Sequence, residues 1–511
     1  MPRLSRRQLL GTAAAFGTAG TARAGADGEP ARKPNLLFIL ADDHAGYVLG
    51  ADGNRRAETP HLDRLASEGT RFAAHYCNSP VCTPSRQSIL TGLLPHATGV
   101  TVLETPLSEE HPTLAGILKS EGVHTAVIGK MHFNQPGRPG LHGFDVAWTE
   151  DVVTRRWSQE VGPAPDLGGE KTKPAWHPFQ DPARVWLNAE ALPFPRHTEQ
   201  MRSTWVAREA CRYLDEHRED RFALWVSFQE PHSPFDFPVE WHGRYRPESF
   251  PVPLEGPEDA PQIPLIFRDL TAPEKQGIAA AYYTSVHFLD HNVGVVLDQL
   301  RRLNLENDTV VVYMADHGYC LGQHGRFEKH CGYEPALRVP LIIRGSGRGP
   351  ASRRVVHHFT ESVDVAPTIL ELLEAPPLPV RHGRSLVPYL RRRRIENPRT
   401  SVFSEYLENE EAIVRTARWK LIHCSGRRVR NDGYKTDNPA PGRYVRLYDL
   451  KNDPGEFRNV ASRHPDVVAE LSAIALRRFR ETHPDAGSEP AGLQVPDALD
   501  FYVRPRDARP R

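Results

Sequence analysis

The strongest constraint on this chain is an alternation. Short apolar, β-rich runs are separated by long helical stretches, and a group of ionisable residues closes almost every run. The first run is Asn35-Leu-Leu-Phe-Ile-Leu40, and others follow at His124–Ile128, Ala223–Phe228, Thr309–Met314 and Pro340–Ile343. Between them lie helical patterns at Pro60–Gly69, Gln200–His217, Gln276–Leu303 and Glu361–Glu374. In the first of these, Thr59 is a cap, Leu62, Leu65 and Ala66 share one face, and Gly69 is a stop. Strands alternating with helices predict an α/β fold built on a large, mixed but mostly parallel sheet.

In open α/β sheets, ligands bind beyond the carboxyl ends of the strands. Here those ends read Asp42-Asp43-His44, Lys130-Met131-His132, Glu230-Pro231-His232 and Asp316-His317. One acidic dipeptide is ordinary loop filler, but four such groups at one sheet edge are not. Burying several carboxylates together is costly unless a cation neutralises them. Asp42, Asp43 and Asp316 offer hard oxygen ligands for Ca²⁺ or Mg²⁺, and His317 leaves Mn²⁺ open. Lys130, His132, His232 and Lys329 would supply positive charge and proton transfer around an anionic substrate.

The stretch NSPVCTPSRQSILTG, residues 78–92, adds a further element. Pro84 suits the first position of a helix, Ile89 and Leu90 give it an apolar side, and Gly92 ends it. Cys82 then stands just ahead of a helix N-terminus, where free N–H groups favour anions. Arg86, one turn on, adds a planar fork of donors. Taken alone, the stretch fits an anion site with a sulfur nucleophile and a buried loop cysteine equally well.

Composition narrows the class. Lys plus Arg and Asp plus Glu are both 64, so there is no broad electrostatic case for nucleic acid. A chain of 511 residues predicts two domains of unequal size. The six cysteines show no CxxC pair and no zinc spacing, and Cys77 with Cys82 is the disulfide alternative. At the N-terminus, Arg6-Arg7 precedes a weakly apolar run and Ala22-Arg23-Ala24. That pattern predicts an export signal over residues 1–24, of twin-arginine type or an ordinary secretory one, and a periplasmic or extracellular protein. No later apolar run approaches the ~20 residues of a membrane span.

Cys82-Thr83-Pro84-Ser85-Arg86 resembles the C-x-P-x-R signature of the type I sulfatases, in the alkaline phosphatase-like superfamily. ADD (41–43), GKMHF (129–133), PHSPF (231–235), ADHG (315–318) and the segment 321–343 resemble further motifs of that family, in its order. LYDLKNDPGEFRNVA (447–461) is similar to its C-terminal signature. The resemblance spans roughly residues 34–460. It implies a catalytic domain over 33–375 and a smaller antiparallel sheet-plus-helix subdomain over 376–485, with a tail beyond. Strands at Val402–Tyr406, Ala412–Arg415, Lys420–His423 and Arg446–Leu450, with a helix at Pro465–Glu481, fit that subdomain.

The resemblance also implies chemistry that the residues themselves do not show. A separate maturation enzyme would convert Cys82 to Cα-formylglycine, whose hydrate attacks the sulfur of a sulfate ester. Asp42, Asp43, Asp316 and His317, with the residue-82 oxygen, would hold the metal. Arg86 and Lys130 would hold the hydrate, His232 and Lys329 would assist the leaving alcohol, and His132 would serve sulfate release. The pair Asp316-His317, where many members have Asp-Asn, is similar to the iduronate-2-sulfatase-like and choline-sulfatase-like branches. Related phosphodiesterases and phosphonate hydrolases share this kind of site, and an unmodified Cys82 would leave a binding protein. Trp148, Trp157, Trp176 and Trp186 crowd one segment, where they would stack a sugar, cage a quaternary ammonium or simply pack the loop.

Overall fold

The apolar runs form the strands expected of them. The computed structural model describes residues 33–135, 141–174, 178–347, 354–428, 433–436 and 443–506. The expected export signal and Trp176 lie outside them. In chain order the strands are β1 Asn35–Ala41, β2 Thr70–Phe72, β3 His75–Tyr76, β4 His124–Gly129, β5 Val146–Trp148, β6 Phe222–Ser227, β7 Thr309–Ala315, β8 Leu341–Arg344, β9 Arg354–Val356 and β10 Thr360–Glu361. Then come β11 Ser401–Tyr406, β12 Glu411–Thr416, β13 Trp419–Cys424 and β14 Tyr444–Asp449.

Eight strands make one sheet, in the order β5-β4-β6-β1-β7-β8-β2-β9. Its centre, β4, β6, β1 and β7, is parallel throughout, with Leu36 opposite both Ala223 and Val310. The carboxyl ends of these four strands therefore form one edge. β8 runs antiparallel to β7 and β2 antiparallel to β8, which makes the sheet mixed. β3 and β10 form a separate short ladder.

Successive side chains of a strand point to opposite faces. Leu37 and Ile39 thus enter one core layer, while Leu36, Phe38 and Leu40 enter the other. The first layer is closed by the helices Pro60–Glu68, Arg202–Glu216 and Ala272–Arg302, through residues such as Leu65, Trp205 and Val293. The second is closed by Cys82–Thr91, Leu114–Ser120 and Val365–Leu372, through Leu90, Leu118 and Ile369. Each fully buried side chain of this kind contributes about 1.5–3 kcal/mol over exposure.

β11 to β14 form the expected antiparallel meander. The helix Pro465–Thr482 lays Leu471, Leu476 and Phe479 on it. A helix at Val495–Tyr502 adds Leu499 and Tyr502 to the same cluster, in a region whose sequence carries no clear signal. Also unforeseen are the three-residue strands β2 and β5, too short to show a period, and the helices Leu114–Ser120 and Glu150–Val161. Among the described residues, no helix is long and apolar enough to cross a membrane.

Candidate active site

The four central strand ends converge on Cys82. The donor atoms of Asp42, Asp43, Cys82 and His317 all lie within 4.8 Å of one another, and all four residues are buried. The helix under Cys82 begins earlier than the sequence suggests. It runs Cys82–Thr91 with Val81 as its extended cap, so Cys82 is the first helical residue and Pro84 the third. Proline is tolerated there because no N–H of the first turn has an intrahelical partner. The Cys82 thiol lies 3.4 Å from Asp42 Oδ1 and 3.1 Å from His317 Nε2. Burial, then Asp42, pushes it well above the ordinary thiol range. A thiol held protonated is a poor nucleophile. Cys77 points elsewhere, toward the Ala336 carbonyl, and all six cysteines are free.

Three cations face three carboxylates here. Arg86 Nε donates to Asp316 Oδ2 at 2.8 Å, and its Nη2 lies 3.6 Å from Asp42 Oδ2. Lys130 Nζ pairs with Asp42, and Lys329 Nζ donates to Asp43 Oδ1 at 2.9 Å. Asp316 Oδ1 accepts the N–H groups of Asp43 and His317, and Oδ2 stands 3.6 Å from His317 Nε2. Asp316 therefore sits at the edge of the four-residue cluster, tied to Arg86. His317 Nδ1 is 3.1 Å from Asp43 Oδ1.

This donor set fits a divalent cation. Two carboxylates, an imidazole and the residue-82 side chain converge, and oxygen-rich sites of this kind suit hard ions. Burial pushes the Asp43 carboxyl up, with Asp42 and Asp316 adding to the rise against Lys329, so a cation would relieve it. Burial acts the same way on Asp42, but Lys130, Arg86 and Lys329 together hold it well below the usual range. Three cations balance three carboxylates. An added dication leaves the site positive and ready for an anionic ester.

His132 and His232 flank this cluster from β4 and β6. His232 Nδ1 lies 2.6 Å from the Ser233 carbonyl, which fixes that nitrogen as the donor, and Nε2 stands 3.9 Å from Asp43 Oδ2. His132 has φ 52°, in the left-handed region. Burial and then Lys130 hold both imidazoles well below their ordinary pKa, hence neutral. A cavity of about 230 Å³ opens beside Lys130 and His132, lined also by Glu150, Arg202 and Gln229.

Several supporting residues carried no motif. Ser227 bonds Arg86 Nη1 at 2.9 Å, and Gln87 donates to the His132 carbonyl at 3.0 Å. Tyr282 OH donates to the Asp43 carbonyl at 2.5 Å. Glu150 Oε1 accepts the N–H groups of Met131 at 2.9 Å and His132 at 2.6 Å. Thr149-Glu150-Asp151 is a legible helix start, so Glu150 could have been placed at a helix mouth, though not against His132. Of the tryptophans, Trp186 stands edge-on to His232 at 6.4 Å, whereas Trp148 packs on Trp205 and Trp157 bonds the Gln200 carbonyl.

The family model described as Sulfatase matches residues 34–375, and that described as N-sulphoglucosamine sulphohydrolase, C-terminal, matches 322–480. Among curated proteins, the choline-sulfatase of Rhizobium meliloti is 28% identical over 93% of this chain and 90% of its own length. The Delta 4,5-hexuronate-2-O-sulfatase of Bacteroides thetaiotaomicron is 27% identical over 89% and 90%. Among solved structures, the phosphonate monoester hydrolase from Silicibacter pomeroyi matches with a TM-score of 0.73 at 24% identity, over 88% of this chain and 96% of that one. The last match shows a shared fold, the alkaline phosphatase-like one expected.

Proposed function

This chain belongs to the sulfatase family, hydrolases of sulfate esters, and from that premise we propose that its substrate is a sulfate monoester of a sugar. The observation that carries the reading is the buried cluster of Asp42, Asp43, Cys82 and His317 with Lys130, Lys329 and Arg86 around it. When present, a divalent ion held by those ligands polarises the sulfate oxygens, and formylglycine at residue 82 supplies the nucleophilic oxygen. We favour Ca²⁺ for the ion, with Mg²⁺ and Mn²⁺ as the alternatives.

The chain's own residues do the rest. Lys130, Lys329 and Arg86 bind the anionic ester and neutralise charge that grows on its oxygens. His232 keeps its Nδ1–H on the Ser233 carbonyl, so Nε2 is the atom that faces the leaving oxygen and carries a proton to it. An incoming anion offsets Lys130 and Lys329, the two charges that disfavour this proton. His132 Nδ1 has no partner among the described residues and accepts the proton lost as sulfate departs. Trp186 offers the sugar an aromatic wall beside His232. A quaternary ammonium would be held by the same ring together with Phe179, 5.4 Å away and exposed, which keeps choline sulfate as the second reading. Export to the periplasm or beyond rests on Arg6-Arg7 and Ala22-Arg23-Ala24.

The test is sulfate release, by ion chromatography, from sulfated mono- and disaccharides, choline sulfate and nitrophenyl sulfate, with the matching phosphate esters alongside. Protein whose residue 82 is shown by mass spectrometry to be formylglycine should release sulfate fastest from a sugar ester. Faster turnover of choline sulfate or of a phosphate ester would overturn the substrate assignment. His232→Ala should slow a sugar sulfate far more than nitrophenyl sulfate, whose leaving group needs no acid.

A further inference from the structure

Cys320 and Cys331 lie at the two ends of the segment that carries Lys329. Their sulfurs are 3.7 Å apart, and of the six cysteines these are the two whose sulfurs touch. Both are buried, Cys320 fully and Cys331 at 4% exposure. Their backbones already bracket the loop: Cys320 N–H donates to the Glu328 carbonyl at 2.9 Å, and Cys331 N–H to the Lys329 carbonyl at 2.7 Å. Cys320 stands three residues after the metal-cluster residue His317, and Cys331 two residues after Lys329. Cys331 also lines a small polar cavity of about 60 Å³ with Arg326, Tyr406, Glu411 and Arg446.

We propose that Cys320 and Cys331 are a dithiol–disulfide pair, and that their oxidation staples the His317 turn to the loop bearing Lys329. The oxidant is a small-molecule disulfide or a disulfide oxidoreductase. One thiolate, Cys331 by its position on the cavity, attacks a sulfur of that disulfide and releases the first thiol. Cys320 then attacks the Cys331 sulfur of the mixed disulfide, an S–S bond forms between them, and the second thiol leaves. Two protein thiols are oxidised, the external disulfide is reduced to two thiols, and both protons leave with them. The sulfurs must close from 3.7 Å to bonding distance, a movement that a loop end can make and a central strand cannot. Contact with Cys331, and then burial, pushes the Cys320 thiol up, so the exchange is slow at neutral pH and faster above it.

The test treats the full-length protein with oxidised glutathione, then alkylates the remaining thiols and digests. The expected product is a disulfide-linked pair of peptides carrying Cys320 and Cys331, with the other cysteines alkylated. The loop-closure entropy of a ring this size, spread over a chain of this length, raises Tm by about 3 °C. Cys320→Ala and Cys331→Ser should each lose that rise without changing the Tm of the reduced protein by much. Both cysteines found alkylated after prolonged oxidation, or a glutathione adduct on Cys331 that never resolves, would overturn the proposal. So would a Tm rise that survives in either variant.

Discussion

Glu150 offers the sharpest test of how the site is held. Its Oε1 accepts two backbone N–H groups, from Met131 at 2.9 Å and His132 at 2.6 Å, and those bonds clamp the turn that holds His132 at φ 52°. A hydrogen bond to a charged acceptor contributes about 1.5–3 kcal/mol. The Glu150 side chain is 33% exposed, so water recovers much of that when it is removed. A left-handed residue other than glycine costs about 1–2 kcal/mol, which then works to release the turn. A net bias of about 1–2 kcal/mol toward the productive turn is therefore lost in Glu150→Ala, equivalent to a roughly 5- to 30-fold fall in kcat. Glu150→Gln keeps an oxygen acceptor but no charge, and should lose only about 2- to 5-fold. The assay is steady-state kinetics on the best sulfate ester, with Tm measured in parallel. KM should change little in both variants if, as proposed, Lys130 and Lys329 bind the ester. If Glu150→Ala keeps kcat within about twofold of wild type, the turn does not depend on those bonds. Equal losses in Ala and Gln would transfer the effect to the carboxylate charge, 4.0 Å from His132 Nε2.

Three further outcomes follow from the same structure. His75 is buried against Thr360, and burial, helped by Arg399, lowers its folded pKa to about 3. The unfolded chain therefore binds this proton first as pH falls below about 6.5. The contribution is intact above that pH and is lost toward pH 3, with about 2 kcal/mol gone by pH 5. Urea unfolding of His75→Gln at pH 7 and pH 5 should show a shallower loss than wild type by about that amount. Gly129 has φ 122°, and a Cβ there would lie 1.8 Å from the Ser227 carbonyl oxygen. Gly129→Ala should cost about 3 kcal/mol or more, seen as a lower urea midpoint or lost soluble yield, because the clash is with backbone. Saturating Ca²⁺ should raise the Tm of wild-type protein by about 3 °C at a hundredfold excess over Kd. Asp42→Asn should abolish that rise in differential scanning fluorimetry.

The alternation of strands and helices is legible in the chain, as are the stops Gly69 and Gly92, whereas Thr59 makes no side-chain cap bond and the Cys82 helix starts two residues ahead of Pro84. The sequence also placed Asp42, Asp43, Lys130, His132, His232, Asp316 and His317 at strand ends. These are local facts, since period, capping residues and ends are set by neighbours in the chain. Asp42, Lys130, His232 and Asp316 each follow a strand that reads as a strand, and the parallel packing of β4, β6, β1 and β7 follows from the alternation. The family resemblance added the expectation that Cys82 is oxidised to formylglycine, which no spacing argument could supply. Which charges meet is set by the folded packing alone. Asp316 turns to Arg86, Lys329 arrives at Asp43 from 286 residues away, and Glu150 closes on the His132 turn. The same holds for Trp186 against His232, for the Cys320–Cys331 contact and for the helix Val495–Tyr502. Such pairings depend on close packing between distant segments, where an ångström separates an ion pair from a solvated charge, and residue type along the chain carries no record of that distance.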